Sequence, residues 1–155
     1  MGLPRCLDWL CRASRRGAYI AYAPGIGEQM AWVLYHELMR SNVPAYLDLN
    51  DLEPSLQSRT EQALRAINRH RYFVLVLNCQ ECLLKLREDN SALGKHVLHA
   101  LRTRRVIVPF FPEDLKLSAI PNDFAELKDR VPVTYVAEHF TIALDQLKGK
   151  IKGKR

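Results

Sequence analysis

The sequence has few cysteines, no long apolar run and no internal repeats. Four cysteines in 155 residues are too few for a disulfide-stabilised scaffold, so we expect a reducing, cytoplasmic setting. No apolar stretch approaches the ~18 residues that a membrane-spanning helix needs. The N-terminus lacks the continuous apolar segment of a secretory signal peptide. Secreted disulfide-rich and membrane-spanning classes are therefore disfavoured, and a hydrophobic content of 48% is enough for the core of one domain.

The net charge of +6 comes from the two ends of the chain. Residues 1–16 carry four arginines and one aspartate, and residues 148–155 carry four lysines and one arginine, so the remainder is slightly acidic. No aromatic residues interleave with the basic tail, and nucleic-acid binding is not expected. We expect a basic extension at 1–16, a domain at 17–150 and a basic tail at 151–155.

Residues 1–16 carry features of a lipid-anchored segment. Gly2 follows Met1, as N-myristoylation requires, although Cys6 stands where the pattern prefers Ser or Thr. Palmitoylation of Cys6 or Cys11 would supply the second signal that stable attachment to an anionic membrane needs. The alternative is a short helix that packs its apolar residues on the domain, and the sequence leaves both interpretations open.

Apolar and amphipathic segments alternate along the rest of the chain. The run Tyr72–Leu77 is apolar without interruption, which is typical of a strand that is buried on both faces of a parallel sheet. The alternation predicts an α/β fold, with a flavodoxin-like open parallel five-stranded sheet of order 2-1-3-4-5 and helices on both faces. The other predicted strands are Ala18–Tyr22, Ala45–Leu47, Val106–Phe111 and Val133–Val136.

Four helices are predicted from apolar residues at three- and four-residue steps. The second runs over residues 56–68, and the third is capped by Asn90 or Ser91. Asn78–Asn90 is predicted to be a polar connection, and Pro112–Pro132 to be irregular with one turn of helix around Phe124 and Leu127. The predicted core-facing stripes are Met30, Val33, Leu34 and Leu38 in the first helix, Leu93, Val97, Leu98 and Leu101 in the third, and Phe140, Leu144, Leu147 and Ile151 in the last.

The predicted topology also places a pocket. In open α/β sheets, ligands bind beyond the carboxyl ends of the strands where the strand order reverses, here between the first and third strands. We therefore expect Ala23–Gly27, Asp48–Ser55 and Asn78–Asn90 to surround it. The sequence Gly25-Ile-Gly27 is not a dinucleotide fingerprint, because Met30 occupies the third glycine position.

Several of these segments resemble conserved boxes of the Toll/interleukin-1 receptor (TIR) domain family. Tyr19–Tyr22 is similar to its first box and Ala45–Ser55 to its second, and the third and fourth strands match as well. The resemblance covers about residues 17–150 and is nearest to the axon-degeneration NAD hydrolases with sterile-alpha and armadillo motifs. It implies a flavodoxin-like fold and one of two activities. These are assembly through TIR–TIR contacts in innate-immune signal transduction, and cleavage of the nicotinamide–ribose bond of NAD.

The resemblance places His96 where NAD-cleaving members carry the glutamate that engages the ribose. Ala92 falls where they have an aromatic residue. A neutral imidazole lacks the negative charge that stabilises an oxocarbenium ion, and a protonated imidazole is repelled by that ion. We therefore predict a pseudoenzyme with no confident catalytic residue and no required cofactor, with NAD as ligand or substrate in the alternative case. The pocket candidates are Tyr22, Ala23, Asp48, Glu53, Ala92 and His96.

The predicted partners are other TIR domains, identical or different. We expect the contact surfaces to be the loop after the second strand and the faces of the second and third helices. The acidic loop would meet Arg102, Arg104 and Arg105 of another copy. One alternative is an NAD hydrolase with a non-standard site, in which Glu81, Glu88 or Asp89 replaces the missing glutamate. Another is a regulator that joins the assemblies of an active TIR enzyme. The predicted interaction loop comprises Asp48, Asn50, Asp51, Glu53, Pro54 and Ser55.

A Cys-x-x-Cys pair, Cys79 and Cys82, precedes the third predicted helix. With His96 and His99 it approaches a zinc-site spacing, although the histidine pair is one residue too close, and we expect no metal. The same cysteines fit a thioredoxin-like redox role if they begin a helix that lowers a thiol pKa. The remaining interpretation is two semi-buried structural cysteines.

Overall fold

The computed structural model describes residues 17–47, 56–88 and 91–153, without the side chains of residues 56–59. Within these ranges a parallel five-stranded sheet has the order β2-β1-β3-β4-β5, which confirms the predicted class and topology. The unbroken apolar run of β3 explains its central place, because both faces of this strand are covered. The strands are β1 (Ala18–Ala21), β2 (Ala45–Leu47), β3 (Tyr72–Val76), β4 (Val106–Pro112) and β5 (Val133–Tyr135).

Helices cover both faces of the sheet, so alternate strand residues serve two cores. Ile20 and Val74 pack against α1 and α5, whereas Tyr19 and Phe73 pack against α2, α3 and α4. Short 3-10 helices at 117–119 and 122–129 occupy the stretch that was predicted to be irregular. The α-helices are α1 (Glu28–Arg40), α2 (Leu56–Arg69), α3 (Gln80–Arg87), α4 (Ala92–Arg102) and α5 (Phe140–Lys152).

Gly17 lets β1 enter the sheet beside β2. A Cβ at this position would lie 2.5 Å from the carbonyl oxygen of Pro44, which is closer than real Cβ contacts. That same oxygen accepts a 2.9 Å hydrogen bond from the backbone N–H of Ala18. A larger residue at position 17 would therefore displace the first bond between the two strands.

The core-facing stripe of α1 differs from the prediction. Val33 is 44% exposed, whereas Ala31, Leu34 and Leu38 are buried. Successive helical residues are about 100° apart around the axis, so a stripe through Ala31 and Leu34 turns Val33 towards solvent. The prediction favoured the larger side chain, but the small Ala31 is the one that fits against the sheet.

The segment Asn78–Asn90 is not the polar connection that was predicted. Residues 80–87 form α3, which buries Cys82, Leu83 and Leu86 against the α2 and α4 side of the sheet. The apolar spacing in this helix is only eight residues long and is interrupted by charged residues, which explains why the prediction was wrong.

Several predictions fall on residues outside the described ranges. These are the lipidation candidates Gly2, Cys6 and Cys11 and the whole loop of residues 48–55, which contains Asp48, Asn50, Asp51, Glu53, Pro54 and Ser55. The assignments made for them stay predictions. In the ranges that are described, no helix combines the length and apolar character that crossing a membrane requires.

Candidate functional site

A small cleft lies at the carboxyl end of β1, beside the point where the strand order reverses. It brings together three of the predicted pocket residues, Tyr22, Ala92 and His96. Ala23 is buried in the core instead, where its carbonyl oxygen accepts hydrogen bonds from the N–H groups of Ile26 and Gly27. The cleft is lined by Tyr19, Ile20, Ala21, Tyr22, Pro24, Ala92, Leu93 and His96.

The start of α4 positions the outer wall of this cleft. The Ser91 hydroxyl accepts a 3.2 Å hydrogen bond from the Gly94 N–H, which satisfies one of the free donors of the first helical turn and confirms the predicted cap. Ala92 and His96 are one turn apart and face the same way. Leu93 and Val97 anchor the helix in the core, so the His96 side chain has a fixed place at the cleft.

His96 is 9% exposed and its ring meets Tyr19 edge-on, with 6.1 Å between the ring centroids. Burial lowers the pKa of His96 to about 4, and the nearby positive charges of His99 and Lys95 act in the same direction. The imidazole is therefore neutral near pH 7. It supplies no negative charge to the cleft.

Tyr19 forms a rigid floor beneath His96. Its ring stacks on Tyr46 of β2 and on Phe73 of β3, each at a centroid distance of 5.5 Å. All three residues are directly paired across neighbouring strands, so their rings form one row on the α2 and α4 side of the sheet. Sequence reasoning did not assign Tyr19 to the pocket, although the two-residue period of β1 puts it on the same face as Ala21.

The part of the cleft that the described residues enclose is small. The cavity volume is about 30 Å³, which holds about two water molecules, whereas ligand pockets are typically about 300 Å³ or larger. Among the described residues no Asp or Glu lines it. Glu81 is exposed on α3 and Glu88 pairs with Lys85 at 2.8 Å, while Asp89 lies outside the described ranges. The described carboxylates that were considered as replacements thus lie away from the cleft.

The structure does not bring the four zinc candidates together. Cys79 and Cys82 are neighbours, but His96 contacts Tyr19, and His99 Nε2 lies 2.8 Å from Asn68 Oδ1. No group of three or more His, Cys, Asp or Glu side chains within the described ranges is placed to hold a metal ion. His96 packs against Tyr19 of β1, whereas His99 faces Asn68 at the end of α2, and neither contacts the two cysteines.

A second region of interest lies at the opposite end of the strands, where β3 and β4 begin. Residues 65–71 and 102–106 together contain six arginines and no acidic residue. The two segments are adjacent, since Tyr72 pairs with Val106 and the Val106 N–H donates to the Arg71 carbonyl. We call this the arginine patch, and it comprises Arg69, Arg71, Arg102, Arg104 and Arg105. The domain is slightly acidic as a whole, so net charge alone does not report this local cluster of cations.

Arg105 differs from the other members of the arginine patch. Its Nη1 donates to the carbonyl oxygens of Asn68 and His70, at 3.2 and 3.3 Å. These bonds tie the start of β4 to the end of α2, so Arg105 has a structural role. Its predicted contact with another copy stays a prediction. Arg102 and Arg104 are exposed.

Two histidines beside the arginine patch, His70 and His99, have lowered pKa values. Burial is the main cause that lowers the pKa of His99, and the charges of Arg105 and Arg102 lower it further. Burial also lowers the pKa of His70, against the opposing effect of its hydrogen bond to the Ala66 carbonyl, and Arg69 adds to the lowering. For both histidines burial is the larger effect on the pKa, and the neighbouring arginines add to it.

Comparison with solved structures shows a fold shared with TIR domains. The TIR domain of the Toll-related receptor TRR-2 from Hydra magnipapillata matches with a TM-score of 0.63 and 17% identity, over 87% of this chain and 97% of that one. The TIR domains of the activated Roq1 resistosome, which directly recognises the pathogen effector XopQ, match with a TM-score of 0.51 and 13% identity, over 88% and 83%. No protein-family profile and no curated protein matches the sequence. At these identities the likeness establishes the fold of the chain.

Proposed function

We propose that this chain is a TIR-type signalling module that works by assembly, through contacts with further copies of itself or with other TIR domains. The shared fold supports this class, since the similar structures are a receptor domain and part of an activated resistosome. The observation that carries the proposal is the arginine patch, an exposed cationic surface with no acidic neighbour in its two segments.

Charge complementarity suggests how two copies would meet. The stretch that follows β2 contains Asp48, Asp51 and Glu53 and no cation. Because the sheet is parallel, the carboxyl end of β2 and the amino ends of β3 and β4 lie on opposite sides of the domain. A contact between the acidic stretch of one copy and the arginine patch of the next would be head to tail, and such heterologous contacts build open filaments unless they close into a ring.

Charge reversal tests this arrangement on the full chain. We expect Arg102→Glu with Arg104→Glu to abolish concentration-dependent self-association in light scattering, and Asp48→Lys with Asp51→Lys to do the same. Mixing the two variants should restore association, because each then carries one intact surface of opposite sign. The control pair Lys116→Glu with Lys128→Glu changes the same net charge at exposed sites elsewhere. Association of both test variants at the wild-type level would overturn the proposal.

We further propose that the cleft does not cleave NAD. The neutral, buried imidazole of His96, the methyl side chain of Ala92 and the small volume of the cavity support this. Stabilising an oxocarbenium ion requires a negative charge beside the sugar, and the described lining offers none.

The His96→Glu variant, with His96→Gln as its uncharged control, tests which deficiency matters. Release of nicotinamide from NAD by the glutamate variant alone would assign the absence of NAD cleavage to the missing negative charge. Release by neither variant would assign it to the small volume. Release of nicotinamide by the wild-type protein would contradict the proposal.

A further inference from the structure

Cys79 and Cys82 form a close pair of thiols at the start of α3. Cys79 occupies the cap position of the helix and Cys82 lies in its first turn, with 3.8 Å between the two Sγ atoms. The Cys82 N–H donates to the Cys79 carbonyl at 3.1 Å, so one helical turn holds both residues. A disulfide has an S–S length of about 2.05 Å, and a shift of roughly 1.8 Å would therefore join the two sulfurs.

The two thiols differ in access to solvent. Cys79 is half-buried, whereas Cys82 is fully buried. Burial is the main cause that raises the pKa of the Cys82 thiol to about 11, so it remains protonated near neutral pH. Cys79 is therefore the thiol that an external disulfide can reach, and Cys82 is the buried thiol that can resolve the mixed disulfide.

Asn78 connects this pair to the loop between β1 and α1. The Cys82 thiol donates to Asn78 Oδ1 at 3.0 Å, and Asn78 Nδ2 donates to the Ile26 carbonyl at 3.2 Å. The loop itself closes by hydrogen bonds from the Ile26 and Gly27 N–H groups to the Ala23 carbonyl. Because Pro24 of the same loop lines the cleft, the state of the thiols is linked to the lip of the cleft.

We propose that Cys79 and Cys82 are a reversible dithiol–disulfide pair that reacts with small-molecule disulfides of the glutathione class, and that the dithiol state anchors the β1–α1 loop through Asn78. This site is independent of the proposed assembly function. Formation of the disulfide removes the S–H donor from Asn78 Oδ1, so the bridge to Ile26 loses one of its two supports.

The exchange proceeds in two balanced steps. The Cys79 thiolate attacks one sulfur of oxidised glutathione, forms a mixed disulfide and releases one glutathione thiolate. Cys82 then gives up its proton, its sulfur attacks Cys79 Sγ, and the second glutathione leaves as a thiolate. The protein loses two hydrogen atoms, that is, two protons and two electrons, and one molecule of oxidised glutathione becomes two molecules of reduced glutathione.

Mass spectrometry of the full chain with Cys6→Ser and Cys11→Ser tests the first part. In excess oxidised glutathione we expect the loss of two hydrogen atoms and no lasting adduct, with reversal by a dithiol reductant. Adding Cys82→Ser should trap one glutathione on Cys79, whereas adding Cys79→Ser should leave Cys82 unmodified. Two free thiols after this treatment, or an adduct that stays on Cys79 while Cys82 is present, would overturn the proposal.

Hydrogen exchange of the Ile26 and Gly27 amides tests the second part. We expect oxidation to speed their exchange by about two- to tenfold, the range that one neutral hydrogen bond accounts for. Asn78→Ala should speed exchange by a similar factor in the reduced protein, and oxidation should then add nothing. Equal exchange in the dithiol and disulfide states of the protein with Asn78 intact would contradict the link to the loop.

Discussion

The two ends of the strands differ in charge and in how exposed their side chains are. At the carboxyl ends of the strands, the cleft is small and floored by stacked aromatic rings, and its histidine is buried and neutral. At the amino ends of β3 and β4, five arginines gather on adjacent segments, and most of them are exposed. The carboxyl ends are therefore buried and neutral around the cleft. The amino ends of β3 and β4 carry exposed positive charge.

The two ends of the strands also differ in which side chains are exposed. Parallel α/β sheets usually place their ligand chemistry at the carboxyl edge. Here the groups at that edge, Tyr19, Leu93 and His96, pack against one another. At the opposite end of the strands Arg69, Arg71, Arg102 and Arg104 are exposed, which supports the proposed role of the arginine patch in docking.

The largest expected effect concerns the floor of the cleft. Tyr19 is 1% exposed and stacks between two other rings, so Tyr19→Ala should lower the free energy of unfolding by about 3–5 kcal/mol. Trp32→Ala, on the exposed side of α1, should lower it by less than about 1 kcal/mol. Denaturant unfolding of both variants measures the difference. Similar values would mean that the cleft floor is not part of the core.

A somewhat smaller effect is expected from His96. Its pKa is lowered from 6.5 to about 4, so between these pH values the unfolded chain binds a proton that the folded chain does not. Stability should therefore fall as the pH drops through this window, by roughly 3 kcal/mol at most. His96→Leu removes this contribution, while that of His70 remains in both proteins and cancels.

The measurement is the difference in unfolding free energy between wild type and His96→Leu at pH 7 and at pH 4.5. We expect the wild type to lose roughly 2–3 kcal/mol relative to the variant over that range. His36→Leu, at an exposed position of α1, is the matched control. A difference that does not change with pH would mean that the His96 imidazole is freely hydrated.

The smallest effect separates the members of the arginine patch. Arg105→Ala removes two hydrogen bonds to backbone carbonyls and should lower the free energy of unfolding by about 1–2 kcal/mol. Arg102→Ala, at an exposed position, should change it by no more than about 0.5 kcal/mol. Equal losses in thermal or denaturant unfolding would contradict the structural role assigned to Arg105.

The fold could be predicted from the sequence to a large extent, because the signals are local. An unbroken apolar run such as Tyr72–Leu77 specifies a buried strand, and Ser91 at the head of an amphipathic stretch specifies a helix start. Sequence reasoning failed where a small residue replaced a large one in the core. Ala31 is buried and Val33 is exposed, and no pattern that favours size predicts this.

The site was harder to predict, because its contacts join distant parts of the chain. Asn78 and Ile26 are separated by 52 residues, and Arg105 contacts carbonyls 35 and 37 residues earlier. Tyr22, Ala92 and His96 were placed at one pocket by resemblance to TIR domains. The small volume of that pocket depends on the packing of Tyr19 and Leu93, which no single motif reports.

We propose that the cleft at the carboxyl ends of the strands does not cleave NAD, and that the chain assembles through the arginine patch and the acidic stretch after β2. The most direct test is to incubate the purified full chain with NAD and to measure released nicotinamide by chromatography. We expect nicotinamide to be released no faster than in a blank without protein, at concentrations where the chain self-associates. Protein-dependent release that increases with chain concentration would contradict this proposal.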